Sequence, residues 1–257
     1  SLVVIQFTAA IVLIAGALGS YRQLRFMKER ELGININQTL VLTQYANLDS
    51  AAIPSYNAFI NELEENTAIK SVTASTSVPG AEVGGSSDFN LKGSLLGKRC
   101  RVFGVDKKFI PAYDLKMIAG RNFADDRPAV DSNYVINIIV NETAAKVFGF
   151  TNPGDMMGQG LRGAGLNCKV IGVVKDYHQE SLQHSFDPII FYPDEERNFG
   201  YFSLKLNTGN LPALMDFVKT KWNSHFPESP YQFSFLDEQF NNQYKGDKLF
   251  STVLWLF

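Results

Sequence analysis

Hydrophobic and polar positions divide the chain into an apolar N-terminal run, a patterned middle and a short apolar C-terminal run. Residues 2–21 are almost entirely apolar, and no charged residue precedes Arg22. At about 1.5 Å rise per residue, a helix of about twenty residues spans the roughly 30 Å hydrocarbon core of a bilayer. A soluble helix normally shows a polar stripe, and a signal peptide normally begins with basic residues. The run has neither, and it therefore predicts a transmembrane helix.

An amphipathic stretch follows the predicted membrane helix. Apolar residues recur at helical spacing over residues 21–32, and Gly33 is a typical residue to end a helix. We expect one continuous helix that leaves the membrane as a short stalk and stops at Gly33. The last ten residues, KLFSTVLWLF, have the apolar character of a second membrane helix. The chain is therefore expected to be part of a larger membrane protein, with a domain outside the membrane between the two helices.

Two stretches near the ends of this extramembrane domain share one order of patterns: a strand, an amphipathic helix and a second strand. Alternation and helical spacing predict these elements at residues 39–43, 50–67, 69–76, 200–206, 211–226 and 231–235. The apolar faces of the two helices contain Tyr56, Phe59, Ile60, Leu63, Leu214, Phe217, Val218 and Trp222. Two β-α-β units so far apart predict one subdomain built from both ends of the domain. The sequence leaves open whether the two units pair.

The middle of the chain is richer in strands and in glycine. Its patterns predict strands at residues 101–105, 135–140, 169–174 and 187–192, and helices at 111–117 and 141–148. Asn141 has the side chain of an N-cap for the second of these helices. The middle therefore predicts a small α+β insertion.

Composition and charge exclude some classes of function. The chain is 45% hydrophobic and 19% charged, which indicates a globular domain, and its net charge is −2. No strongly basic block occurs, so neither nucleic acid nor a polybasic lipid contact is predicted. The basic residues after the first span favour a cytoplasmic domain by the positive-inside rule, but long loops cross the membrane largely regardless of charge.

The two cysteines, Cys100 and Cys168, lie far apart in the sequence. A zinc site built from thiolates needs a tighter cluster, so no metal is predicted here. One disulfide is an open alternative, but two buried free thiols are the favoured interpretation, because free cysteine is among the most buried residue types.

The stretch VVKDYHQESLQH (173–184) has the composition of an active site. His178 and His184 are six residues apart, which places them about 240° apart on a helix and about 20 Å apart on a strand. Only a loop could bring both to one ion, although Asp176 and His178 could share a strand face. Ser181 lacks the Gly-x-Ser-x-Gly frame of a hydrolase nucleophile. The favoured interpretation is a strand that leaves the core and a polar connector.

Two glycine-rich loops and one sequon are the other candidate sites. Neither GAEVGGSS (80–87) nor GDMMGQGLRGAG (154–165) has a P-loop frame or a dinucleotide-binding context. Tight turns between strands are predicted at both loops. The sequon that begins at Asn141 lies at a helix start and carries little weight. No catalytic, cofactor-binding or metal-binding residue is predicted, and the chain is not predicted to be an enzyme.

Several segments, in order, resemble one family, the MacB/FtsX-like ABC transporter permeases and in particular the long permeases of Bacteroidetes-type bacteria. The segments are QFTAAIVLIAGALGSYRQLRFMKERELGININQTLVL, VFGVDKKFIPAYDLKMIAGRNF, NIIVNETAAKVFGF, GDMMGQGL, KVIGVVKDYHQESLQHSFDPIIFYP and FSFLDEQFNNQYKGDKLFSTVLWLF. Together they cover nearly the whole chain.

The resemblance implies an α+β periplasmic core domain. A porter-like subdomain of two β-α-β units would cover residues 34–127 and 199–240, and a sabre-like insertion would cover 128–198. Residues 1–33 would be the membrane helix and stalk, and 241–257 the start of the second membrane helix. The domain would lie in the periplasm, anchored in the bacterial inner membrane.

The resemblance also implies a function and partners. A separate cytoplasmic ATPase subunit would hydrolyse ATP, and the permease would transmit the movement to the external domain, a mechanism called mechanotransmission, in efflux or membrane extraction of a substrate. The other implied partners are a second permease half or a homodimer partner, and a periplasmic adaptor is left open. The alternative hypothesis is the extracytoplasmic sensor domain of a two-span receptor. An anchored hydrolase is the least favoured.

Overall fold

The computed structural model describes Val4, Gln6, Phe7 and residues 33–44, 53–81, 85–124, 135–179, 185–194, 199–207 and 210–243. The predicted membrane helix and stalk, residues 1–33, lie almost wholly outside the described residues. Most of the predicted second membrane segment, residues 244–257, lies outside them as well. Within the described ranges, no helix combines the length and the hydrophobicity that a bilayer crossing requires.

The described part of the chain contains more residues in strands than in helices. They are β1 (Thr39–Thr43), β2 (Ile69–Ser75), β3 (Ser86–Leu91), β4 (Lys98–Val105), β5 (Met117–Gly120), β6 (Val135–Asn141), β7 (Gly160–Gly163), β8 (Leu166–Val174), β9 (Ile189–Pro193), β10 (Tyr201–Leu206) and β11 (Gln232–Phe235). The helices are α1 (Ile53–Glu64), α2 (Phe109–Ala112), α3 (Glu142–Val147), α4 (Leu211–His225) and α5 (Leu236–Gln243). One 3₁₀ turn covers Pro153–Met156.

Most predicted elements are confirmed to within a few residues, and β1 has the predicted bounds. The helix predicted at residues 111–117 is wrong: α2 ends at Ala112, and β5 begins at Met117. Asp114 lies between them with a φ of 52°, in the left-handed region, so the helix cannot continue through it. The sequence patterns also do not predict β3 and β7.

The two terminal β-α-β units share one antiparallel sheet, with the strand order β11-β1-β10-β2. Because β10 lies between β1 and β2, the units interleave, as in a split β-α-β arrangement. Helices α1 and α4 cover one face of this sheet. We call these four strands and two helices the outer unit.

The core of the outer unit is rich in aromatic residues. Trp222 of α4 and Phe59 of α1 pack edge to face with ring centroids 5.8 Å apart, and both contact Phe202 of β10. The ring of Tyr56 lies 4.7 Å from that of Phe202 in a tilted arrangement, and the Tyr56 hydroxyl donates to the carbonyl of Phe199. The predicted apolar faces of both helices therefore meet over the sheet.

The six strands β4-β3-β7-β8-β6-β9 close into a ring, because β9 pairs in parallel with β4. We call this arrangement the strand ring. Every one of its strands places a side chain in one hydrophobic interior, among them Phe89, Cys100, Ile138, Leu161, Val170 and Ile190. Helix α3 contributes Ala144 and Ala145 to the same interior.

The outer unit and the strand ring are connected through one sheet contact and one shared core. Strand β2 pairs with β4 at Ser75 and Val105, at the C-terminal end of both strands. Next to this contact, side chains from both parts form a separate hydrophobic cluster, which we call the junction core. The two parts are therefore joined by a strand pairing and by buried hydrophobic contacts.

Candidate functional site

The junction core is the place where both ends of the described domain meet. Ile34 and Ile36 pack against it from the N-terminal side, and Leu236 and Phe240 of α5 enter it from the C-terminal side. Its other members come from the outer unit, the strand ring, α2 and the segments that connect them. Both ends of the described domain therefore pack against one hydrophobic core.

Five aromatic rings fill the centre of the junction core. Phe109 lies 4.8 Å from Tyr113 and 5.9 Å from Phe191, measured between ring centroids. Phe191 also contacts Phe103 at 5.6 Å and stacks on Tyr177 at 6.4 Å. Aromatic pairs at these distances resist displacement of any single ring, because the interior is close-packed. The five rings therefore form one continuous packed group.

Asp176, from the candidate active-site stretch, has a structural role at the start of α3. One carboxylate oxygen accepts from the Thr143 amide and the other from the Thr143 hydroxyl, both at 2.8 Å. Its own amide donates to the Glu142 carboxylate at 3.0 Å, and Lys146 lies 3.7 Å away. These contacts satisfy helix amides that have no partner within the helix. The carboxylate is occupied by helix capping.

Asn141 is confirmed as the N-cap of α3. Its side-chain oxygen accepts from the amide of Ala144 at 3.0 Å and from that of Ile189 at 2.9 Å. Its amide group donates to the carbonyl of Asp187. Because Asn141 is fully buried, the sequon is not presented to a glycosylating enzyme in the folded domain.

Tyr177 and Gln179 tie the end of β8 to the loop after β2. The Tyr177 hydroxyl donates to the Gln179 side chain, whose amide group donates to the carbonyls of Val78 and Ala81 at 2.8 and 2.9 Å. The Gly80 amide donates back to the Gln179 carbonyl. Burial raises the pKa of Tyr177 well above its ordinary value, so the hydroxyl stays a donor.

His178 is half-buried, and its ring lies 4.4 Å from that of Phe186. Two other residues of the 173–184 stretch, Ser181 and His184, lie outside the described residues. Within the described ranges, no group of three or more His, Cys, Asp or Glu side chains is placed to hold a metal ion.

Two glycines let the ends of the domain approach this site closely. A Cβ atom on Gly33 would lie 2.9 Å from the carbonyl oxygen of Asp176 and 3.3 Å from the Cβ of Tyr177. A Cβ atom on Gly80 would lie 2.7 Å from the ring of Phe240 in α5. Both glycines have positive φ values, which other residues rarely adopt. The two ends are therefore held against the 78–81 and 176–179 segments.

The glycine-rich loops contain turns and parts of strands. In the second loop, β7 and β8 form a hairpin in which Gly163 pairs with Leu166. Ala164 and Gly165 form its turn with positive φ values, so a tight turn is confirmed at this point. Residues 86–87 of the first loop belong to β3.

Cys100 and Cys168 are buried free thiols in the interior of the strand ring, as the favoured interpretation predicts. Burial raises the pKa of Cys168 to about 11. Burial and the nearby Asp88 raise the pKa of Cys100 to about 12. Both thiols therefore stay protonated and unreactive in the folded domain.

Gln179 and Tyr113 have structural roles that sequence reasoning does not assign. Gln179 looks like a polar loop residue, and Tyr113 lies in the segment that is predicted to be a short helix at residues 111–117. Each becomes buried only when distant segments fold against it. In the sequence, the only signal for these roles is that both residues lie in segments that resemble the family.

The fold is similar to that of three solved domains of transporter or permease proteins. The periplasmic region of MacB from Actinobacillus actinomycetemcomitans matches with a TM-score of 0.56 and 17% identity, over 82% of this chain and 94% of that chain. The extracellular domain of the ABC-type transporter YknZ from Gram-positive bacteria matches at 0.53 and 14%, over 76% and 98%. A domain of a putative permease protein from Porphyromonas gingivalis matches at 0.51 and 18%, over 77% and 90%.

A family model described as the MacB-like periplasmic core domain matches residues 3–218, which is most of the chain. The chain therefore belongs to the MacB-like periplasmic core domain family, and the resemblance stated from the sequence is confirmed. No curated protein matches the chain.

Proposed function

We propose that the chain is the extracytoplasmic part of an ABC transporter permease. In this proposal a separate cytoplasmic ATPase subunit hydrolyses ATP, and the permease transmits the resulting movement to this domain, which drives export or membrane extraction of a substrate. The domain itself catalyses no reaction. The observation that carries the proposal is that both ends of a family-member domain pack into one junction core.

The contacts at the junction core provide a route for movement. Gly33 approaches Tyr177 so closely that an added Cβ atom would lie 3.2 Å from the Cα of Tyr177, and Gly80 approaches the ring of Phe240 in the same way. The Gln179 side chain joins these two places, because it bonds both Tyr177 and the 78–81 loop. A change in the distance between the two ends would therefore displace the 176–179 segment. Because Asp176 caps α3, this displacement would also move α3, which packs in the interior of the strand ring.

The finer organisation is part of the proposal. A porter-like part (34–127 and 199–240) and a sabre-like part (128–198) would lie in the periplasm, with membrane segments at 1–33 and 241–257 in the bacterial inner membrane. Pairing of β3 with β7 and of β4 with β9 runs across the boundary at residue 128. A second permease half or a homodimer partner, and also an adaptor, would complete the assembly.

The location can be tested by labelling a cysteine on the surface of the domain. Leu95 is 98% exposed at the tip of the β3–β4 hairpin, and both native thiols are buried. In intact cells, the full permease with Leu95→Cys should react with a membrane-impermeant maleimide, while the parent protein should not. A Leu95→Cys protein that reacts only after the cells are lysed would place the domain in the cytoplasm and contradict the proposal.

Coupling to ATP can be tested by hydrogen exchange on the full permease with its ATPase. Trapping the ATPase with ATP and vanadate should change the exchange of amides 78–81 and 176–179. An ATPase subunit that cannot bind ATP is the control, and it should produce no change. Equal exchange in the trapped and nucleotide-free complexes would contradict mechanotransmission. A kinase module after the second membrane segment would instead favour the sensor hypothesis.

A further inference from the structure

A lysine is buried in the middle of the outer sheet. Lys205 lies on β10, opposite Thr39 of β1 and Ser71 of β2, and only 7% of the residue is exposed. It shares its face of the sheet with Ser203, away from α1 and α4. A charged group in such a position loses hydration and requires specific partners.

The hydrogen-bond partners of Lys205 all belong to residues 35–39, which lead from Gly33 into the first residue of β1 and which we call the 35–39 loop. Its ammonium nitrogen lies 2.6 Å from the Asn35 carbonyl oxygen, 2.9 Å from the Thr39 hydroxyl and 3.5 Å from the Asn37 carbonyl oxygen. An ammonium has three donors, and these three acceptors match them. Within the described ranges, no carboxylate lies at ion-pair distance from it.

The same loop is also fixed to α2 and to β10. The Asn35 amide donates to the Tyr113 carbonyl at 2.9 Å, and the Leu206 amide donates to the Gln38 carbonyl at 2.9 Å. The Tyr113 hydroxyl donates to Ser203 at 2.7 Å, and its ring centroid lies 5.3 Å from the Lys205 nitrogen. The 35–39 loop, β10 and the α2 segment therefore meet at one ammonium group.

Burying the charged group of Lys205 costs free energy, and burying an apolar side chain at this position would not. Burial, opposed by Asp114, lowers its pKa to about 8. Replacing a buried charge by an apolar side chain is often neutral or stabilising, and a buried polar group can instead specify one conformation. Two of its three acceptors are main-chain oxygens, which loop substitutions do not remove. The Lys205 ammonium group therefore adds to the hydrogen bonds that hold the loop at Tyr113, Leu206 and Asp114.

We propose that Lys205 is a positioning residue that fastens the 35–39 loop to β10 and α2, so that movement arriving at Gly33 reaches the outer sheet. The hydrogen bonds between Lys205 and the 35–39 loop exist in the folded domain whether or not it transmits movement. The role of Lys205 in transmitting movement rests on the proposed function.

The fastening is tested in the full permease with Lys205→Met, which keeps the apolar stem and removes the donors. Amides of residues 35–39 should exchange about tenfold faster than in the parent protein, because hydrogen bonds to a charged group are lost. The matched control is Lys221→Met, since Lys221 bonds Glu62 on the other side of the outer unit at 2.8 Å. It should leave this exchange unchanged. Unchanged exchange in Lys205→Met overturns the proposal.

A milder variant covers the case in which Lys205→Met does not fold. Thr39→Val is nearly isosteric and removes one of the three acceptors, so the loop amides should exchange a few-fold faster. Lys205→Arg keeps the charge and should restore most of the protection. Parent-like exchange in Thr39→Val would count against the fastening.

The role in transmission is read from the ATP and vanadate experiment. In the trapped complex of Lys205→Met, the change in hydrogen exchange over β10 should disappear. The change at residues 176–179 should remain, because Gly33 approaches this segment directly. Persistence of the β10 change overturns the transmission role. If the parent complex shows no change anywhere, the proposed function fails, while the exchange of the 35–39 loop still decides the fastening.

Discussion

The outer unit and the strand ring bury their interiors in different ways. The outer unit covers one face of its sheet with two helices, and large aromatic residues such as Trp222 and Phe202 fill the space between. The strand ring closes on itself and holds mostly aliphatic residues, two thiols and two alanines. Local patterns predict the apolar faces that meet in the first core, since each helix or strand shows its apolar face in its own sequence, although the strands of this unit pair across long separations in the chain. The second core depends on closure of the ring, which includes strands such as β3 and β7 whose own sequences do not predict them.

The largest change in the free energy of unfolding is expected for Trp222→Ala in the outer unit. Trp222 is fully buried, and its indole nitrogen donates to the Ser229 carbonyl at 2.9 Å. The cavity should lower the free energy of unfolding by about 3–5 kcal/mol in urea titrations. Lys219→Ala, at an exposed position of the same helix, is the control. A loss as small as that of the control would mean that the aromatic core is not tightly packed.

A core substitution in the strand ring sharpens the comparison. Ile138→Ala empties a position that is 1% exposed on β6, and it should cost about 2–4 kcal/mol of unfolding free energy. Val135→Ala on the same strand, at a 43% exposed position, is the matched control. Hydrogen exchange then separates the two parts. If they unfold independently, Ile138→Ala weakens protection of β6 and leaves that of β1 unchanged, and equal weakening would show one cooperative unit.

A smaller effect is expected for the helix cap that joins the ring to the junction core. Asp176→Ala removes both acceptors of Thr143 and should cost about 1–2 kcal/mol in the same titration. Asp176→Asn keeps one acceptor and should cost less. Asp155→Ala, whose carboxylate caps an exposed turn, is the control. If Asp176→Ala cost no more than the control, the cap would not contribute to stability.

The smallest effect is expected for the native thiols, which report on the ring alone because both lie in its interior. With pKa values of about 12 and about 11, Cys100 and Cys168 should be almost fully protonated at pH 8 and should not react with a thiol reagent. Both should react once the protein is unfolded. Fast reaction in Trp222→Ala would show that the ring opens together with the outer unit.

Two of the elements that the sequence patterns do not predict, β3 and β7, belong to the ring, and β5 and α5 lie outside it. SSDFNL is too polar for an evident strand, yet it forms β3, because β4 and β7 pair with it on both sides. Gly163 of β7 lies against Phe89, where a Cβ atom would overlap the ring, so the glycine is needed for packing. Tertiary pairing overrides local propensity at both strands.

The candidate site was predictable in part. The capping role of Asn141 follows from its position before a helix pattern, and the structure confirms it. The role of Asp176 does not, because Thr143 lies 33 residues away in sequence. Lys205 alternates with apolar residues in its strand, which predicts a solvent-facing side chain. The 35–39 loop and Tyr113 cover that face and bury the lysine.

The sequence by itself determined the apolar faces of α1 and α4, most of the strands and the family, because these depend on periodicity and on motifs in neighbouring residues. Only the tertiary structure decided that the two β-α-β units interleave, that six strands close into a ring and that VVKDYHQ serves as a cap and a link. Each of these depends on hydrogen bonds between distant segments, whose formation is set by how the whole chain packs.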